Sequence, residues 1–309
     1  MRASRLAPTA ALLLVCAFFT ALAWAHPSSG IVVDQRGQVF FTDNGGGRGF
    51  LWKTDAEGKL TRFHREGGHW LALDDKGSYS QEDLKTWFEK RITMNFGRVP
   101  LPDSKAAVLQ ADGAPFVVDR DGNLCWAKGD LEIARLSPDG KVTLVAPGLK
   151  ETADKLGGIK GLASGPDGSL YASCPSAVLK IKPDGKVTTL VHPILLKDVD
   201  TDLPKGTPED QKPFLRGLAV DSRGNVYAAA TGCRCVVKVA PDGKAEVVLK
   251  ADRPWSPTGV AVYGGDVYVL EYTNASRDVH DGWLPRVRKL GRDGKVTTLA
   301  TLTKQDRER

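Results

Sequence analysis

The chain has 309 residues, 41% hydrophobic and 26% charged, with 43 Lys and Arg against 37 Asp and Glu for a formal charge of +6. The charges alternate in sign and never form a block of five or six of one kind, which excludes a nucleic-acid-binding arm and a polybasic membrane-binding segment. The length would suit two ordinary domains, but all-β folds often run past about 200 residues as one, so internal repeats have to decide.

The N-terminus reads as a cleavable export signal. Arg2 and Arg5 give a positive head, residues 11 to 23 are almost wholly apolar, and Ala23-Trp24-Ala25 places small residues at both positions that a signal peptidase reads. Residues 1–25 are therefore expected to be removed, so that the mature chain starts at His26 and resides in the periplasm or outside the cell. The apolar run is shorter than the roughly 20 residues of a membrane span. Cys16 lies mid-run behind Val15, which does not suit lipid attachment. No membrane association is expected after cleavage.

From residue 30 onward one pattern recurs six times. It starts at Gly30 (Val32-Val33-Asp34, with turns at Gly37 and Glu57-Gly58) and continues in a divergent copy from Trp70-Leu71-Ala72-Leu73-Asp74 through Gly77 to Pro102-Asp103-Ser104. Further copies run from Pro115 (turns at Asp121-Gly122 and Asp139-Gly140), from Gly161 (Asp167-Gly168 and Asp184-Gly185), from Leu215, and from Gly259 (Gly264-Gly265 and Asp293-Gly294). The copy from Leu215 is the clearest. Leu218-Ala219-Val220-Asp221 leads through Gly224 to Asn225-Val226-Tyr227, then Val236-Val237-Lys238-Val239, the turn Pro241-Asp242-Gly243 and Val247-Val248-Leu249. Each apolar run reads as a strand and each Gly-centred break as a tight turn.

Four short strands per repeat of roughly 45 residues form a sheet that cannot bury both faces alone and must stack on its neighbours around an axis. Gly turns every ten or so residues exclude a helical repeat, and the long recurrence disfavours a two-sheet sandwich. The expected fold is all-β: a single six-bladed β-propeller over residues 26–301, four antiparallel strands per blade, followed by a polar C-terminal tail over 302–309.

The run Gly217-Leu218-Ala219-Val220-Asp221, two residues, Gly224-Asn225-Val226-Tyr227, and then Val236-Val237-Lys238-Val239 and Pro241-Asp242-Gly243-Lys244 is similar to the NHL repeat. It also resembles the related gluconolactonase, or senescence marker protein, propellers. The resemblance spans nearly the whole mature chain. It implies a scaffold that hosts lactone hydrolases, lyases and non-catalytic binding modules alike. It further implies that the residue before each repeat's leading Gly lines the mouth of the central channel, here Ser29, His69, Ala114, Lys160, Arg216 and Thr258. Gluconolactonase-like enzymes hold a divalent cation at that ring through carboxylate, Asn and Asp oxygens. In this sequence Ser29 takes the acidic position, and Lys160 and Arg216, which offer no acceptor, stand where Asn and Asp would be. No metal and no other cofactor is expected.

The second-strand ends supply another ring on the same face, Asp43, Lys128, Cys174, Ala230 and Glu271. Asp43 suits a loop cap. Glu271 is a candidate for contacting a ligand or for pairing with Arg216 or Lys160. Insertions at 79–92, 150–158, 194–214 and 272–284 gather over this face by the repeat register, and Ser80-Gln81-Glu82-Asp83 reads as a helix start. Trp70, Trp87, Trp255 and Trp283 lie near them, as loop anchors or as stacking surfaces for a ligand.

Catalytic motifs are missing: there is no HExxH, Gly-x-Ser-x-Gly or phosphate loop. His69 is the one histidine on the inner ring, and with Glu271 it is a candidate general base. Cys174 and Cys233 are placed by register near the ligand-side ends of adjacent blades, which makes a disulfide between them possible, while free buried thiols are the alternative. Two functions stay open. One is a monomeric, non-catalytic propeller binding an anionic small molecule, glycan or protein partner at the channel mouth through Lys160, Arg216, Thr258, Ser29, His69, Glu271, Asp43, Trp255 and Trp283. The other is a hydrolase or lyase acting on a lactone or ester. No nucleic-acid partner is expected.

Overall fold

The six turn glycines that punctuate the repeats, Gly37, Gly77, Gly122, Gly168, Gly224 and Gly264, all adopt positive φ, between 58° and 89°. Only glycine enters that region without a Cβ clash, and this is why each copy of the repeat breaks from its first strand to its second at a glycine. The aspartate that ends the first strand organises the turn. Asp221 Oδ1 accepts the backbone N–H groups of Arg223 and Asn225, both at 2.9 Å, and its Oδ2 accepts the Asn225 side chain at 2.8 Å. Asp119 does the same in its own turn, and Asp34 Oδ1 accepts the matching backbone N–H groups of Arg36 and Gln38.

In this computed structural model, residues 27–308 are described apart from 46–48, 56, 91–93, 202, 204, 209–210 and 274–281. The expected export signal and the expected cleavage site before His26 lie outside the described residues. The chain forms a six-bladed β-propeller. Blade 1 holds β1 (Ile31–Val33), β2 (Val39–Asp43), β3 (Phe50–Thr54) and β4 (Leu60–His64). Blade 2 holds β5 (Trp70–Asp74), β6 (Phe96–Pro100) and β7 (Ala107–Ala111); blade 3 holds β8 (Phe116–Val118), β9 (Leu124–Lys128), β10 (Glu132–Leu136) and β11 (Val142–Leu144). Blade 4 comprises β12 (Gly161–Ser164), β13 (Leu170–Cys174), β14 (Ala177–Ile181) and β15 (Val187–Val191), and blade 5 comprises β16 (Leu215–Val220), β17 (Val226–Ala230), β18 (Cys235–Val239) and β19 (Ala245–Lys250). Blade 6 is β20 (Trp255–Tyr263), β21 (Asp266–Thr273), β22 (Pro285–Leu290) and β23 (Val296–Thr301).

Five sheets are four-stranded antiparallel meanders; blade 2 differs, with three strands in the spatial order β5-β7-β6. The insertion after β5 forms α1 (Gln81–Lys90), which packs on β6. This detour delivers the chain to the outer edge first, and β7 then returns to fill the place beside β5. Ser80 caps α1 as its sequence suggests. Its hydroxyl accepts the Asp83 N–H at 3.1 Å, and Asp83 Oδ2 accepts the Ser80 N–H at 3.1 Å, a reciprocal capping box. A second helix, α2 (Leu149–Lys155), fills the insertion between blades 3 and 4.

The inner strands β1, β5, β8, β12, β16 and β20 touch in sequence, and β20 touches β1, so the ring closes. Six apolar clusters among the described residues fill the six seams between neighbouring blades. Phe40 and Leu51 of blade 1 meet Leu71 and Val99 of blade 2, for example, and Ile31 and Phe41 of blade 1 meet Tyr272 and Val287 of blade 6. Both faces of each blade are thereby buried.

The C-terminal tail is not loose. Residues Lys304–Glu308 form α3, whose last carbonyls, of Asp306 and Arg307, each accept an N–H of Arg62 at 2.8 Å. The Arg62 guanidinium also lies over Phe50, 4.4 Å from the ring centroid. Blade 6 is thus tied back onto blade 1.

Candidate functional site at the channel mouth

The leading glycines of the repeats allow the inner strands to close tightly at one end of the ring. A Cβ on Gly161 would lie 2.4 Å from the Arg216 carbonyl oxygen, and one on Gly259 would lie 2.3 Å from that of Ser29. The residues just before these glycines therefore crowd together, and the first residues of the described chain run across them as a strap. The Pro27 carbonyl accepts an Arg216 N–H at 2.7 Å, and the Ser28 carbonyl accepts the Thr258 hydroxyl at 2.6 Å. The Ser28 hydroxyl donates to the His69 carbonyl at 2.7 Å and contacts the Thr42 hydroxyl, while the Ser29 N–H donates to the same His69 carbonyl at 3.1 Å. Blades 1, 2, 5 and 6 are joined through three residues.

Arg216 is the central element of this ring. It is 5% exposed, and besides Pro27 its guanidinium contacts His69 Nε2 at 3.2 Å. Burial pulls its pKa down to about 10, an effect that neighbouring Tyr272 partly opposes. A guanidinium can only donate, so His69 Nε2 is placed to accept from it. His69 is half-buried, and its backbone N–H is held by Asp112 Oδ1 at 2.9 Å. The Ser29 hydroxyl is buried at the same ring and makes no hydrogen bond among the described residues.

The other expected site residues are placed elsewhere. Lys160 turns to another partner; its Nζ pairs with Asp130 Oδ2 at 3.1 Å, a carboxylate of the β9–β10 turn in the preceding blade. Glu271 faces neither Arg216 nor Lys160. It is fully buried and held by Arg286 and Arg288 of the next strand, with Arg288 Nε at 3.0 Å. Asp43 is also fully buried; it caps the Gly45 N–H at 3.1 Å and is forked by Arg307. Trp283 is 1% exposed within the blade 1–blade 6 core, and its carbonyl receives Arg307, so it anchors its loop. Trp255 is half-buried with the Arg286 guanidinium 4.3 Å from its ring centroid. The side chain of Trp87 lies outside the described residues.

The expected Cys174–Cys233 disulfide is not formed. Cys174 is a free, buried thiol in the seam between blades 3 and 4, whereas Cys233 belongs to the seam between blades 4 and 5 and its Sγ donates to the Lys212 carbonyl at 3.3 Å. Each faces a different neighbour. No group of three or more His, Cys, Asp or Glu side chains stands together as a metal cradle among the described residues, and no described helix is long and apolar enough to cross a membrane.

Sequence reasoning missed Arg286, Arg288 and Arg307. Glu271 and Arg286 are direct cross-strand partners in the β21–β22 hairpin, but the long insertion between the two strands hides the register. Nothing local marks Arg307.

The fold defines a class, the six-bladed propellers. The chain is similar to a luciferin-regenerating enzyme, at 14% identity and TM-score 0.52 over 91% of this chain and 95% of that one. It is also similar to virginiamycin B lyase from Staphylococcus aureus (13% identity, TM-score 0.48, 90% of this chain and 85% of that one). A third is the PQQ-bound aldose sugar dehydrogenase from Streptomyces coelicolor (14%, 0.48, 86% and 94%). No family model and no curated protein matches the sequence. At 14% identity the likeness to the luciferin-regenerating enzyme concerns the fold and not the chemistry.

Proposed function

We propose that this chain is an exported, monomeric propeller of the NHL type that binds an anionic small molecule at the channel mouth without transforming it. The observation that carries the reading is the buried Arg216 guanidinium. A desolvated cation at the end of a channel interacts with an arriving carboxylate more strongly than a solvated one, and each charge-assisted hydrogen bond contributes roughly 1.5 to 3 kcal/mol. The Ser29 hydroxyl, buried and without a hydrogen bond among the described residues, is a further polar group of the same ring.

Binding is favoured over catalysis because neither candidate base is available. The lone pair of His69 faces the Arg216 donor, and Glu271 is buried between two guanidinium groups. Hydrolysis or elimination on a lactone or ester through either would first require breaking those contacts.

Thermal denaturation of the mature protein with citrate and with sugar acids, at constant ionic strength, tests the reading. Arg216→Gln keeps a donor for the Pro27 carbonyl and removes the charge. The wild type should be stabilised by the anion, and the variant should bind it about ten- to a hundredfold more weakly. An Arg216→Gln protein that folds and responds as the wild type does would overturn the assignment.

A further inference from the structure

A second group of cations lies on blade 6, apart from the strap. Glu271, on β21, receives two arginines of β22, and two guanidinium groups on one carboxylate leave a positive charge over. Arg288 is further fixed by donating from Nη2 to the Lys250 carbonyl at 3.1 Å, at the end of β19 in blade 5. Arg286 is less completely used. Its Nε contacts Glu271, its guanidinium carbon lies over the Trp255 ring, and its Nη2 is buried with no hydrogen-bond partner among the described residues. The side chain keeps 14% of its exposure, so it stands at the rim of the seam rather than within it.

A buried N–H without an acceptor costs roughly 1 to 3 kcal/mol, and proteins rarely leave one on a group as exacting as a guanidinium. Here the geometry around the orphan is already organised. Glu271 fixes one edge of the guanidinium, Trp255 lies against its central carbon, and the second arginine keeps the local charge positive. Burial also pulls the Arg286 pKa below that of an ordinary arginine, a desolvation that a bound anion offsets. A small oxyanion, either a planar carboxylate or a tetrahedral phosphate, matches this arrangement, because it supplies the missing acceptor and the missing charge together.

We propose that Arg286, braced by Glu271 and stacked on Trp255, is an oxyanion-binding residue in the seam between blades 5 and 6, taking the carboxylate or phosphate group of a small ligand. This site is separate from the channel mouth and does not depend on Arg216.

Isothermal titration of the mature protein with acetate and, in a separate arm, with inorganic phosphate, at ionic strength held constant with chloride, tests the assignment. Saturable binding is expected in at least one arm, and the tighter arm names the class of head group. Arg286→Lys keeps a cation beside Glu271 but lacks the forked donor, and should weaken binding at least about tenfold. Trp255→Leu, which leaves Glu271 and both arginines in place, should weaken it as well. In an Arg216→Gln background, which removes the channel-mouth cation, the residual binding should still fall at least about tenfold on Arg286→Lys, and this separates the two sites. The proposal is overturned by the absence of saturable binding in both arms, by Arg286→Lys and Trp255→Leu proteins that bind as the wild type does, or by an Arg286→Lys effect that disappears in the Arg216→Gln background.

Discussion

Arg307 forks Asp43 across 264 residues of sequence, with Nη2 to Oδ1 at 2.6 Å and Nε to Oδ2 at 2.7 Å. The carboxylate is fully buried at the end of β2, and the guanidinium comes from the last turn of the chain, so this pair latches the final blade to the first. Burial raises the Asp43 pKa above its ordinary value, with Arg307 pulling against it. For an acid raised in the folded state, the stabilisation is complete below the unfolded pKa and is lost as pH rises through the folded one. At neutral pH the ionised Asp43 thus depends on Arg307. Arg307→Ala should cost about 3 to 5 kcal/mol at pH 7, and clearly less near pH 4.5, where the stranded carboxylate takes up a proton. Asp43→Asn combined with Arg307→Ala should recover much of the loss. Urea unfolding at the two pH values measures this, and equal losses at both would count against the latch.

Tyr79 plays the corresponding part between blades 2 and 3. Its hydroxyl lies 2.7 Å from the Gly122 carbonyl and 2.9 Å from that of Leu136, and it accepts the Leu124 N–H at 2.7 Å. Tyr79→Phe keeps the ring in the core and strands these three buried groups, so a loss of about 1 to 3 kcal/mol is expected. Chemical denaturation reads it directly; a change below about 0.5 kcal/mol would mean that the seam is held by packing alone.

The blades were legible because their determinants are local. A turn needs a residue at positive φ, and glycine supplies it at a fixed distance from two apolar runs, so Gly37 or Gly224 marks a hairpin without reference to anything remote. Even the degraded second turn of blade 2 obeys the rule, with Asp103 taking φ 56° where other copies have glycine. The strand order of blade 2 was not legible, since α1 reroutes the chain without altering the apolar pattern of β6 or β7. Of the candidate site, the ring positions could be named, but not the directions of their side chains. Lys160 and Arg216 hold equivalent positions in the repeat, yet one turns to Asp130 and the other to Pro27 and His69. Those partners come from a hairpin turn of the preceding blade, from blade 2 and from the strap, and the repeat pattern does not say which of them each side chain will meet.

Cleavage after Ala25, as the sequence leads one to expect, would have a structural consequence at the strap. Pro27 would be the second residue of the mature chain, and the Thr258 hydroxyl holds the next carbonyl along. Expression in an export-competent host should return a protein lacking its first 25 residues by intact mass; full-length chain in the membrane fraction would contradict this. In the mature protein, Thr258→Val should cost about 1 kcal/mol by stranding the buried Ser28 carbonyl, and a stability equal to wild type would show that the strap adds nothing to ring closure.

Cys125, Cys174 and Cys235 are fully buried, and burial pushes each thiol up to about 12. Asp119 adds to the effect at Cys125. At pH 8 the thiolate fraction of each is on the order of one in ten thousand, so the folded protein should resist a thiol reagent that modifies all three at once in denaturant. The linkage has a definite sign. An unfolded thiol ionises near pH 8.5, whereas these keep their protons until near 12, so their stabilisation is complete below the unfolded value and is lost as pH rises toward the folded one. Each thiol should lower stability by up to about 1.4 kcal/mol per pH unit above pH 9. Replacing Cys174 with Ala should flatten that alkaline slope by one thiol's share, whatever it does to stability at pH 7. Alkylation under denaturing conditions without reductant, followed by peptide mapping, checks the same residue by another route. Recovery of Cys174 in a disulfide with Cys233 would mean that blades 4 and 5 approach differently from the arrangement described above. A flat stability profile between pH 9 and 10 would mean that the three thiols are less deeply buried than their packing in the blade seams requires.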